Sequence, residues 1–124
     1  MLFRSLEGSL AERLLQGMGT VSVLSYPSQH TPYQDLAIGR CDAVLQDYPI
    51  ALYYGKPNPR LRFTGGPVSE VRYGIACRKG ETALALALNQ ALDDLARRGV
   101  LRGIYERWGI WNDEIGRASC RERV

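Results

Sequence analysis

Two short stretches hold the residues whose types and spacing could do chemistry. The first is Gln46-Asp47, at the carboxyl end of the mostly apolar run Cys41–Leu45. In open parallel α/β sheets, ligands bind off the carboxyl ends of strands. A carboxylate there can accept from an ammonium group, and it can equally cap the helix that YPIALYY predicts. The second is Gly8-Ser9, ahead of the helical pattern LAERLLQGM. Backbone N–H groups at a helix start suit an anion such as a carboxylate, and the same two residues also make an ordinary turn and cap.

The remaining candidates point away from catalysis. His30 is the only histidine and stands in a loop. No serine is framed by a nucleophile-elbow glycine pattern, so Ser-His-Asp chemistry has no signature. Cys41, Cys77 and Cys120 include no C-x-x-C pair and fit neither zinc nor a disulfide framework. Cys41 and Cys77 fall within expected apolar strands, which predicts small buried side chains. A bond between them requires those strands to be neighbours. Tyr48, Tyr53, Tyr54, Trp108 and Trp111 read as packing residues. No acid and base pair of carboxylates, phosphate loop, metal site or cofactor site is evident, and no enzyme is expected.

The elements that must position these residues follow from periodicity. A strand-like opening ends at Gly8. Ser9 with Glu12 three residues later has capping-box spacing, and the helix stops at Gly17 or Gly19. TVSVLSY predicts a strand with Val21 and Val23 on one face. Thr31-Pro32-Tyr33-Gln34 predicts a helix start capped by Thr31, and Gly39 its end. CDAVLQD predicts a buried central strand of a parallel sheet. RLRFTGG and VRYGIACRK read as further strands. From Thr82 a long amphipathic helix carries Leu84, Leu88, Leu92 and Leu95 on one face. Asp93 with Arg97 and Asp94 with Arg98 have ion-pair spacing. Gly99 caps that helix. A second helix runs from about Leu101 through Trp108 to Gly109. The alternation is that of an α/β protein with a mostly parallel sheet.

Composition sets the bounds. The 124 residues make about one domain, 45% hydrophobic and 23% charged. The longest apolar run, Ala83–Leu88, is too short to span a membrane. The first ten residues are not a secretory signal. The net charge of +3 is spread along the chain, so nucleic acid is not the expected partner.

Residues 115–124, IGRASCRERV, resemble a translated sequencing adapter. Removing them takes away Arg117, Arg121, Arg123 and Glu122. That reduces 16 basic and 13 acidic residues to 13 and 12, a net charge of +1. The resemblance implies that this segment has no evolved function, packs against nothing, and ends a gene fragment.

GRCDAVLQDYPIALYY, RYGIACRKGE, LNQALDDLARRGVLRGIYERWGIWN and GSLAERLL together resemble the polar amino-acid-binding proteins of bacterial ABC importers, in order over roughly residues 6–112. That resemblance implies two α/β lobes around a cleft, with this chain beginning inside the second. Residues 1–78 then form the truncated second lobe, and residues 79–114 the C-terminal helices that belong to a missing first lobe. It implies that Asp47 takes a ligand's α-amino group and that Gln46 lines the cleft beside it. Gly8 and Ser9 face the carboxylate. Leu10 stands where the family has a second threonine, so it offers only its backbone N–H. The ligand is a polar amino acid and the partner a membrane permease. The parent is extracytoplasmic or periplasmic, its signal peptide outside this piece. The same module within a permease fusion, a sensor-kinase ectodomain or a murein transglycosylase is the alternative, which sequence upstream of Met1 and downstream of Glu114 would decide.

Overall fold

The first strand, β1 (Leu2–Leu6), is the middle of a three-stranded parallel sheet in a computed structural model that describes residues 1–111. On one side it pairs with β2 (Ser22–Tyr26), Leu2 opposite Ser22 through Leu6 opposite Tyr26. On the other it pairs with β3 (Ala43–Val44), Phe3 opposite Ala43 and Arg4 opposite Val44. Parallel neighbours need crossovers, which helices usually supply. Here α1 (Leu10–Gly17) leads from β1 to β2, and α2 (Thr31–Ala37) from β2 to β3. The helix α3 (Tyr48–Tyr54) follows β3. These elements lie in a first unit, Met1–Ser69; a second begins at Glu70.

The strand expected at the centre is thus at an edge. Its ladder covers two residues, extended on either side by Asp42 N–H to Leu2 O (2.9 Å) and Leu45 N–H to Arg4 O (3.2 Å). The middle place goes to β1 because the α2 crossover carries the chain from β2 past β1 to its other side. The helix α2 also starts one residue earlier than expected. His30 occupies the N-cap position, its carbonyl accepting from Tyr33 and Gln34 N–H at 3.1 and 3.4 Å.

The first unit's core holds Ala11, Leu15, Tyr33 and Cys41, all buried, with Ser5 fully enclosed. Arg4, Glu12 and Asp35 are buried too, and buried charges require partners. Arg4 Nη1 lies 2.6 Å from Asp35 Oδ2, Tyr26 OH donates to that same oxygen at 2.7 Å, and Arg4 Nη2 donates to Arg40 O at 3.3 Å. The Arg4 guanidinium also stands 4.6 Å over the Tyr26 ring. One ionic knot therefore joins β1, β2 and α2.

Residues 60–66 and 71–79, expected as two strands, form none. A strand is held by its ladder, and this apolar alternation lies in register with no neighbour among the described residues. Cys77 is consequently exposed, correcting the buried reading, while Cys41 is buried; both are free thiols.

In the second unit, α4 (Thr82–Arg97) and α5 (Val100–Arg107) are joined through Gly99. Gly99 has φ +72°, a left-handed conformation that glycine adopts without strain, and its N–H bonds to Ala96 O at 3.0 Å. Arg97 and Arg98 both reach Asp94, at 3.5 Å each. Arg97 meets Asp93 only through the backbone carbonyl, at 3.4 Å, so the expected Asp93–Arg97 side-chain pair is replaced. Leu84, Leu92, Ile104 and Trp108 are exposed. Among the described residues no helix is long and apolar enough to cross a membrane. The adapter-like segment lies outside the described residues.

Candidate functional site

At the carboxyl ends of β1 and β3 the first unit carries a shallow depression. Leu6, Ser9, Ala11, Gln29, Gln46, Asp47 and Ile50 line it. All but Gln29, which stands in the bend between β2 and α2, come from a strand end or from the start of a helix. Parallel strands deliver their ends, and the helices that follow, to one rim.

The α1 side is built locally. Gly8 has φ +72°, which lets the chain turn sharply after β1. Ser9 then caps α1, its Oγ accepting the Glu12 N–H at 3.1 Å. Glu12 reaches back, one Oε accepting the Gly8 N–H at 2.6 Å and the other the Ser25 hydroxyl. The Ser25 hydroxyl, and after it the Gly8 N–H, hold the Glu12 carboxyl below its ordinary range. The capping-box spacing thus shapes the turn and spends Glu12 on structure.

The β3 side depends on distant residues. The Ser5 hydroxyl donates to Leu45 O at 3.0 Å and lies 3.3 Å from Ser9 Oγ. Tyr33 OH donates to Gln46 Oε1 at 3.2 Å. Burial, and then the negative charge of Asp47, push the Tyr33 phenol far above its ordinary range. Asp47 occupies the N-cap position of α3 but makes no side-chain capping bond to it.

The five residues singled out in the sequence are therefore not equivalent. Ser9, Gln46 and Asp47 line one depression. Gly8 sits in the turn behind it, and Leu10 opens α1 without lining it. Ser5 and Tyr33 were missed, since a buried serine in a strand and a tyrosine in a helix carry no local signal. His30 is exposed, with Nδ1 2.7 Å from Ser28 Oγ and no acid partner beside it among the described residues. Among those residues no group of three or more His, Cys, Asp or Glu side chains could hold a metal.

The chain is 39% identical over 98 residues to the L-cystine-binding protein TcyJ of Escherichia coli, covering 78% of this chain and 37% of that protein. It is 33% identical over 115 residues to the L-arginine-binding protein of Pseudomonas aeruginosa, covering 83% and 44%. It is 32% identical over 87 residues to the ABC transporter glutamine-binding protein GlnH of Bacillus subtilis, covering 70% and 32%. No family model and no solved structure matches. The chain spans less than half the length of these curated relatives. What the relatives share is a class, the amino-acid-binding proteins. This chain is a homologue of those that serve ABC importers, the family its motifs resemble.

Proposed function

We propose that this chain is the second-lobe portion of an extracytoplasmic protein that captures a polar amino acid and hands it to the permease of an ABC importer. On this reading α4 and α5 complete a first lobe encoded outside the 124 residues. The observation that carries the proposal is the gathering of Ser9, Gln46 and Asp47 on one rim of the parallel sheet. Asp47 supplies a carboxylate for the ligand's ammonium group. The Ser9 hydroxyl and the N–H groups of Leu10 and Ala11, which open α1 ahead of the capped Glu12 N–H, suit the α-carboxylate. The parent is a binding protein and not an enzyme, working in the periplasm or outside the membrane.

Saturation-transfer NMR on the chain tests this, with L-arginine, L-glutamine and L-cystine and with the keto acids that lack the α-amino group. The amino acids give transfer and the keto acids do not. Equal transfer from both sets would remove the ammonium site from the account.

A further inference from the structure

We propose that Tyr33 is a positioning residue of this site: its hydroxyl turns the Gln46 amide so that Nε2 is kept as a donor for the ligand's α-carboxylate. The inference rests on reading the depression as an amino-acid site and names a contact within it.

The Tyr33 ring is held from two sides. It is 7% exposed and stacks on Tyr54 with centroids 6.1 Å apart and planes at 23°. The backbone of Gly55 approaches so closely that a Cβ there would stand 3.2 Å from Tyr33 Cε1. A ring fixed in this way fixes its hydroxyl. That hydroxyl has one hydrogen, and it goes to Gln46 Oε1 at 3.2 Å. Burial and the Asp47 charge keep the phenol protonated, so it remains a donor throughout the neutral range.

With Oε1 engaged, the amide's two N–H groups are on Nε2. This atom is buried and has no hydrogen-bond partner among the described residues. An orphaned buried donor is costly to a folded protein, and such groups call for an explanation. A ligand acceptor would supply the missing partner. Gln46 precedes Asp47 in the chain and lines the same depression. A ligand whose ammonium group meets Asp47 carries its carboxylate on the same carbon, within reach of the neighbouring side chain. The site would then set the Asp47 carboxylate against the ligand's ammonium group, and the Gln46 amide, together with Ser9 and the start of α1, against its carboxylate.

The test uses the ¹⁵N-labelled 124-residue chain, with L-arginine set against agmatine and L-glutamine against 4-aminobutanamide, each amine lacking only the α-carboxylate. The amino acids shift the Gln46 side-chain amide resonance and the amines do not. Tyr33→Phe, which keeps the stacked ring, moves that resonance in the free protein. It also weakens amino-acid binding about fivefold, as loss of one hydrogen bond would, and leaves amine binding unchanged. In a Gln46→Met background Tyr33→Phe adds nothing. Amino acids that shift Ser9 and Asp47 but leave the Gln46 amide unmoved would overturn this inference alone, as would equal weakening of acids and amines by Tyr33→Phe. If neither amino acid moves any resonance of the depression, the amino-acid reading falls and this inference with it.

Discussion

Ser5 gives its hydroxyl hydrogen to the Leu45 carbonyl oxygen across 3.0 Å, and that bond joins the strand leading to Ser9 to the strand leading to Asp47. Ser5 is wholly enclosed, so its replacement cannot be compensated by solvent at that point.

Ser5→Ala should therefore lower stability by about 1–3 kcal/mol, since the Leu45 carbonyl loses its side-chain partner in a partly buried setting. Urea unfolding of the two proteins measures this. An unchanged midpoint would mean that the two rims are held together by the backbone ladder alone.

Asp35→Ala should be more severe. It leaves the Arg4 guanidinium buried and deprives Tyr26 OH of its acceptor. Breaking one side of a buried ion pair costs about 3–5 kcal/mol, a large share of the stability of a small domain. The double variant Arg4→Met with Asp35→Leu should recover much of the loss. Failure of the double variant to recover any stability would show that Tyr26 and Arg40, whose Nη1 lies 3.4 Å from Asp35 Oδ1, set the cost rather than the Arg4 charge.

Glu12 makes stability depend on pH. Its carboxyl titrates below the ordinary value of 4.5 when folded, because the Ser25 hydroxyl and the Gly8 N–H favour the charged form. A group lowered on folding contributes stability above its unfolded value and loses it as pH falls through the folded one. Unfolding midpoints should fall as pH is lowered below about 4.5, and Glu12→Gln should flatten that fall. A Glu12→Gln protein with the same acid profile as the original would assign the loss to other carboxylates.

Much of the scaffold is legible in the residues themselves, because its signals are local. Ser9 with Glu12 marks the start of α1, and Gly99 the turn between α4 and α5. Gln46-Asp47 is legible as a strand end followed by a helix start. What eludes such reading is pairing between distant residues. Arg4 and Asp35 are 31 residues apart, Ser5 and Leu45 are 40 apart, and Tyr33 and Gln46 are 13 apart. Each contact exists because the crossovers stack the strands in the order β2-β1-β3. That order is a tertiary choice, and apolar patterning leaves it open. The stretches 60–66 and 71–79 show the converse, since alternation there predicts strands but cannot create a partner for them.

Asp47 is the one carboxylate lining the depression among the described residues. Backbone amide NMR of the 124-residue chain, titrated with L-arginine and L-glutamine before and after Asp47→Asn, tests its role as the ammonium partner most directly. Shifts gathered at Ser9, Ala11, Gln46 and Asp47 are expected, with affinity weaker than micromolar. Replacing the carboxylate should weaken binding by about 30-fold, as loss of one charge-paired contact costing about 2 kcal/mol would. Shifts centred elsewhere, or an affinity indifferent to Asp47→Asn, would contradict that role.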